Sequence, residues 1–179
     1  MSLVVLEPWS EADLKLLRQI NTPPMRKHTG GPETDEQLLV RHRRYLAFPV
    51  AGTGCMFSIR LPTSGRPIGS VGYAERGWRG EQVYEMGWNV LPDFQGQGYA
   101  TAAVAAAVRH AAASGRLRWL HAYPSVDNPA SNALCRRIGF GLVGECDFEL
   151  PRGQHLRSNE WRLDLPRLTA TDRPAKRDQ

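Results

Sequence analysis

The chain is poor in cysteine: it has three in 179 residues, at Cys55, Cys135 and Cys146, with no C-x-x-C pair. An odd number of well-separated cysteines excludes a disulfide framework or a zinc knuckle and fits a reducing, cytoplasmic compartment. No apolar run approaches the length of a membrane span. The start, "MSLVVLEPWSEADL", lacks the basic stretch of a secretory leader and acquires acids at once. Aromatics are few, at 8%. They are not interleaved with a basic stripe, so the net charge of +5 reads as solvated surface rather than a nucleic-acid face. The positive excess gathers in "RHRRYL" and in the last residues, "PRLTATDRPAKRDQ". A modest positive field would still favour a polyanionic ligand.

The remaining composition, 41% hydrophobic and 23% charged, suits one folded domain, placed at 1–166, with a polar tail over 167–179. "LVVLEP" is a short β-rich run. Ser10 caps a helix carrying Leu14, Leu17 and Ile20, which "NTPP" stops. "MRKHTGGP" reads as a loop. Thr34 and Gln37 form a capping-box signature for a second helix that ends before Pro49. "GCMFSIRL", "PIGSVGYAER" and "QVYEMGWNVL" read as an antiparallel meander, with "GWRGE" as the second turn. A helix follows up to Gly115, then the strand "LRWLHAYPSV". Asn128, Pro129, Arg136, Arg137 and Gly139 appear in the order of cap, first-turn proline, terminal cations and closing glycine around another helix. Two closing strands flank "PRGQHLR". The order predicts an α+β (mixed α/β) fold: a twisted, mostly antiparallel sheet of six to seven strands flanked by about four helices.

The chemistry concentrates in "DFQGQGYATAAVAAAVRHAAASG". Gly96 and Gly98 bracket Gln97 just before a helix. A helix start presents unpaired N–H groups and a positive dipole end, and glycines let a ligand approach them closely. A Walker A loop would need a following lysine, and a dinucleotide fingerprint would need glycine or alanine at Thr101; neither is met. The alanines let the helix axis approach a sheet, with Val104 and Val108 on one stripe and Arg109 and His110 on the other side. Strand alternation places Glu85, Gly87 and Asn89 on one face and Tyr84, Met86 and Trp88 on the other.

Gln95-Gly96-Gln97-Gly98-Tyr99-Ala100 resembles the Q/R-x-x-G-x-G/A signature of the GNAT N-acetyltransferase superfamily. "GWNVLPDFQGQGYAT" and "NPASNALCRRIGF" are similar to that family's flanking strand and following helix. Together with the element order the likeness spans nearly the whole chain and is nearest to the ribosomal-protein N-terminal acetyltransferase branch. It implies an acetyl-CoA-dependent transfer to a primary amine within a ternary complex, without a metal. Gln95 to Ala100 would wrap the pyrophosphate; Asn89, Val90 and Leu91 would pair with the pantetheine arm, with the Val90 amide polarising the thioester carbonyl. Asn128, besides capping its helix, matches a position that hydrogen-bonds pantetheine.

Catalysis needs a neutral amine, although a lysine-type amine has a pKa of about 10.4 and an α-amine about 8. Glu85 stands where some relatives carry a catalytic glutamate able to take the proton. Many relatives protonate the leaving thiolate with a tyrosine four residues before the glycine of "GF". Here that position, counted among the cofactor-binding residues, is Cys135, and Ser131 is the alternative acid. His121 and Tyr123 read as packing residues. The acceptor pocket is expected from "MRKHTGGP" and "PRGQHLR", with Trp9, Trp78 and Trp88 as lining. The acceptor is open, whether a protein N-terminus or a small amine, and a homodimer is compatible with this reading. A non-catalytic acyl-CoA-binding regulatory module of the same fold is the alternative function.

Overall fold

The computed structural model describes residues 2–150 and 153–166. The expected tail and part of the "PRGQHLR" loop lie outside them. Seven strands form one sheet in the order β1-β2-β3-β4-β5-β7-β6. The strands are β1 Val5–Pro8, β2 Gly54–Arg60, β3 Pro67–Trp78, β4 Glu81–Val90, β5 Trp119–Ala122, β6 Gly141–Leu150 and β7 Gln154–Asp164. The helices are α1 Leu14–Ile20, α2 Pro23–Arg26, α3 Asp35–Ala51, α4 Tyr99–Ser114 and α5 Pro129–Ile138, with 3-10 turns at Glu11–Asp13 and Pro92–Phe94. Every strand pairing is antiparallel except β4 with β5.

Several boundaries differ from the sequence expectation, each for a local reason. "NTPP" ends α1 but also starts α2, because a proline is favourable in a first helical turn. Helix α3 continues through Pro49, which sits in its last turn; the left-handed Gly52 (φ 66°) then closes it by donating to the carbonyls of Phe48 and Pro49. The turn after β3 shrinks from "GWRGE" to Arg79 (φ 48°) and Gly80 (φ 85°). Positive φ at both central residues matches the right-handed twist of the flanking strands. Gly77 and Trp78 therefore join β3, and Gln154 to Arg157 join β7 rather than a loop.

Helices α4 and α5 pack on one face of the sheet. Ala103, Ala107 and Ala111 of α4 are fully buried beside Val104 and Val108, against Tyr84, Met86, Leu120 and Ala122. The small side chains do bring this helix close: replacing one of them with leucine would overpack the core at a cost of about 1–3 kcal/mol. A second, smaller core of Trp9, Leu16, Leu17, Ile20 and Leu38, with Met56 packed against it, joins α1 and α3 to the opposite face. Met56 pairs with Gly72, and Gly72 with Gly87, so Glu85, Gly87 and Asn89 lie on this second face. The Tyr84, Met86 and Val90 side chains belong to the first core, as strand alternation required.

Candidate active site

The glycine turn is built as a bare helix mouth. Gly96 (φ 74°) and Gly98 (φ 84°) are both left-handed, a conformation that L-residues adopt at a cost of roughly 1–2 kcal/mol. A Cβ at Gly96 would meet nothing within 4 Å, and one at Gly98 only Leu3 Cδ2 at 3.6 Å. Backbone strain rather than crowding selects glycine, and the surface above the turn stays uncovered. Gly98 is the N-cap of α4 and brings no capping side chain, so the first-turn amides keep their donor capacity. The two glutamines shape the loop from within: Gln95 Nε2 donates to the Val90 carbonyl at 2.8 Å and Gln97 Nε2 to the Asp93 carbonyl at 3.0 Å. Arg137, from the last turn of α5, donates to Thr101 Oγ1 at 3.4 Å. It adds a cation beside the mouth that sequence reading had assigned only to helix termination.

The strand leading into the turn forks. β4 pairs with β5 only at Tyr84↔Leu120 and Glu85↔His121, yet runs on with β3 as far as Val90. The Leu91 amide donates to the Ile68 carbonyl at 2.8 Å, on the β3 side. Antiparallel alternation puts Asn89 in the same phase, so the Val90 and Trp88 amides point away from β3, into the fork. Of the three positions expected to face a pantetheine arm, Val90 is the one whose amide is aimed there. The amides of Asn89 and Leu91 serve the sheet instead.

A cleft of about 190 Å³ runs from the second face through the fork towards the start of α5 and contains Glu85, Asn89, Asn128 and Ser131. The structure thus gathers four of the expected residues. Asn128 Oδ1 accepts from the Ser131 amide at 3.1 Å, the cap read from the sequence. Glu85 Oε2 accepts from Arg76 Nη1 at 2.8 Å. Arg76 in turn donates to the Glu149 carbonyl at 3.3 Å and lies 4.3 Å from the centre of the Phe148 ring. Gly87 leaves the floor open, since a Cβ there would touch nothing within 4 Å.

Two expectations are corrected. Cys135 is fully buried in the core of α4 and α5, away from the cleft, and burial pushes its thiol up to about 12. The helix places this side chain on its inner face, so it offers no surface to a cofactor. Trp9 belongs to the second core, where its Nε1 donates to His42 Nδ1 at 3.0 Å. Trp88 does line the cleft. Trp78 packs behind it on Tyr123, with ring centres 4.7 Å apart.

The cleft is lined, as expected, by the segment "MRKHTGGP" through Met25, His28 and Thr29, and it holds residues given no such role from the sequence. His28, from the segment after α2, lines it, and burial followed by the neighbouring Lys27 lowers its pKa; Asp127 opposes them. Tyr123 is a wall residue rather than plain packing. Its hydroxyl lies 3.1 Å from His121 Nδ1, which is 3.4 Å from Glu160 Oε1; Trp78 Nε1 and Arg79 Nη1 contact the same carboxylate. Burial lowers the His121 pKa and raises that of Tyr123. The Tyr123 cluster comes from β3, β5 and β7 and the turns beside them, and no local pattern in the sequence joins these side chains.

The geometry can be compared with known proteins. The profile described as Acetyltransferase (GNAT) domain matches residues 4–141. The chain is similar in fold to RimL, a ribosomal L7/L12 α-N-protein acetyltransferase, solved with coenzyme A as a CoA–cysteine disulfide. Identity is 21%, the TM-score 0.76, and 92% of this chain and 95% of that one are covered. It is also similar to an acetyltransferase from Agrobacterium tumefaciens (26%, TM-score 0.73, 89% and 90%). A third similar structure is spermidine N-acetyltransferase from Vibrio cholerae with CoA and spermine (18%, TM-score 0.74, 92% and 97%). No curated protein matches the chain in sequence. The profile covers well over half of the chain and ends within β6, and the bare helix mouth and forked strand stand inside it: the chain belongs to the GNAT acetyltransferase family.

Proposed function

We propose that this chain moves the acetyl group of acetyl-CoA directly to a primary amine within a ternary complex. One observation carries the reading: β4 parts from β5 just after Glu85, so a carboxylate, an outward amide at Val90 and a bare helix mouth follow one another along one stretch of chain. The first-turn amides of α4 would hold the pyrophosphate, and the fork would take the pantetheine arm as an added strand. The thioester carbonyl then accepts from the Val90 amide, which stabilises negative charge developing on oxygen.

The amine enters from the second face. Arg76 fixes Glu85 through Oε2, and the carboxylate takes the proton released as the nitrogen attacks the carbonyl carbon. The C–N bond forms, the C–S bond breaks, and the CoA thiolate takes a proton from water, directly or relayed through the Ser131 hydroxyl, which regains its own proton from that water. A thiolate with an unperturbed pKa of about 8.5 leaves without an obligatory acid, so the loss of tyrosine at Cys135 does not forbid the step. Thiol release from acetyl-CoA over a panel of amines tests the reading. Glu85→Gln should lower kcat by about 10²-fold or more while leaving CoA affinity within about twofold. Tight acetyl-CoA binding with no thiol release from any amine supports the second reading, a regulatory acyl-CoA-binding module.

A further inference from the structure

We infer that the acceptor presents a single amine beside an apolar or aromatic group, and is not a polyamine or other multiply cationic amine. The inference rests on the transfer reading and concerns what enters the second-face cleft. Among the described residues lining that cleft, Glu85 is the one carboxylate, and Arg76 already neutralises it at 2.8 Å. Asp127, whose charge reaches His28, is exposed and outside the lining. Much of the wall is apolar, from Met25, Trp88, Phe148, Leu150 and Leu156, with Tyr123 stacked on Phe148 at 4.5 Å; Thr29, Ser125, Asn89, Asn128 and Ser131 add polar groups without charge.

The aromatic faces are not a vacant cage for a second cation. The Arg76 guanidinium lies 4.3 Å from the Phe148 ring centre and 5.9 Å from that of Tyr123. One amine can meet Glu85, the base that takes its proton. A second would lose water against apolar walls and uncharged polar groups, with no further carboxylate in the lining to pair it, which is unfavourable. An apolar group in the same place gains by leaving water. The cleft of about 190 Å³ is shared with the acetyl end of the donor, so it takes the reacting amine and the group beside it while the rest of a larger acceptor stays outside. Both a small arylalkylamine and a protein N-terminus starting with an apolar residue carry this chemistry.

The test uses the full chain with acetyl-CoA and three probes: 2-phenylethylamine, a tripeptide amide beginning with phenylalanine, and spermidine. Turnover is read as thiol release, and binding to the CoA-loaded protein by calorimetry. At least one aromatic probe should exceed spermidine in kcat/KM by about tenfold or more; which one wins separates the small-amine source from the peptide source. Leu156→Glu, which adds a carboxylate to the wall, should narrow that ratio through KM, and the milder Phe148→Leu should lower kcat/KM for the aromatic probes alone. Spermidine matching or beating both aromatic probes overturns the inference and leaves the transfer reading intact. Aromatic probes that bind preferentially without any thiol release support the cleft preference and overturn the transfer reading. Absence of both binding and release for all three overturns both.

Discussion

Replacing Gly98 with aspartate, and separately with asparagine, separates charge from shape at the helix mouth. Gly98 is left-handed at φ 84°, and Asn and Asp are the residues that tolerate this region best after glycine. The added Cβ meets only Leu3 Cδ2, at 3.6 Å. Both variants should therefore fold, each losing on the order of 1 kcal/mol, or about 2–4 °C in Tm for a chain of this size. Ligand binding should split them. A carboxylate about 4 Å from a bound phosphate repels it by about 1 kcal/mol in water-like surroundings and about 4 kcal/mol at an effective dielectric of 20. That corresponds to a further loss in CoA affinity of roughly fivefold to several hundredfold for Gly98→Asp relative to Gly98→Asn. Calorimetric titration with CoA at low and high salt measures it, and added salt should shrink the gap. Equal affinities for the two variants at low salt would refute the placement of the pyrophosphate at this mouth.

Asn128→Ala should cost about 1 kcal/mol of stability through loss of its cap on the Ser131 amide, read by urea melts. Asn128→Asp should keep the cap, so a CoA affinity loss that persists in it isolates the pantetheine contact. His121 is 3% exposed and its pKa is lowered by burial, so below its usual 6.5 the unfolded chain binds the extra proton first. Stability should fall as pH drops through 6.5 towards the lowered folded value, and His121→Asn should flatten that fall, measured by melts between pH 8 and 5. The Cys135 thiol, buried and held at about 12, should resist iodoacetamide at pH 8 in the native protein and react once unfolded, as peptide mass mapping will show.

The parts legible in the sequence were those whose signals are local. The sequence from Asn128 through Pro129 to Gly139 carries a cap, a first-turn proline and a closing glycine within one helix, and the helix forms as those residues dictate. The same holds for Gly98 opening α4 and for the alternation that puts Glu85 on the face opposite Tyr84. Two prolines misled because their effect depends on position: Pro23 starts a helix as readily as "NTPP" ends one, and Pro49 falls where a last helical turn tolerates it. The cleft was only half legible. Glu85, Asn89, Asn128 and Ser131 were reached through the family resemblance, but Tyr123, Phe148 and Leu156 come from the β5-β7-β6 end of the sheet and Arg76 reaches them from β3. Long-range pairing of that kind leaves no periodic mark. Cys135 could be placed in a motif, but the direction of its side chain depended on which face of α5 met the core.

The most direct test is a mass measurement on the acceptor. Protein, acetyl-CoA labelled in the acetyl group and an amine carrying an apolar group are incubated together, and acetylated amine and free CoA are counted in the same sample. Direct transfer predicts labelled acetyl on the amine nitrogen in one-to-one proportion with CoA released, with both products strongly reduced in Glu85→Gln. Saturated acetyl-CoA binding with no labelled amine from any acceptor, or CoA release without matching N-acetylation, contradicts the account.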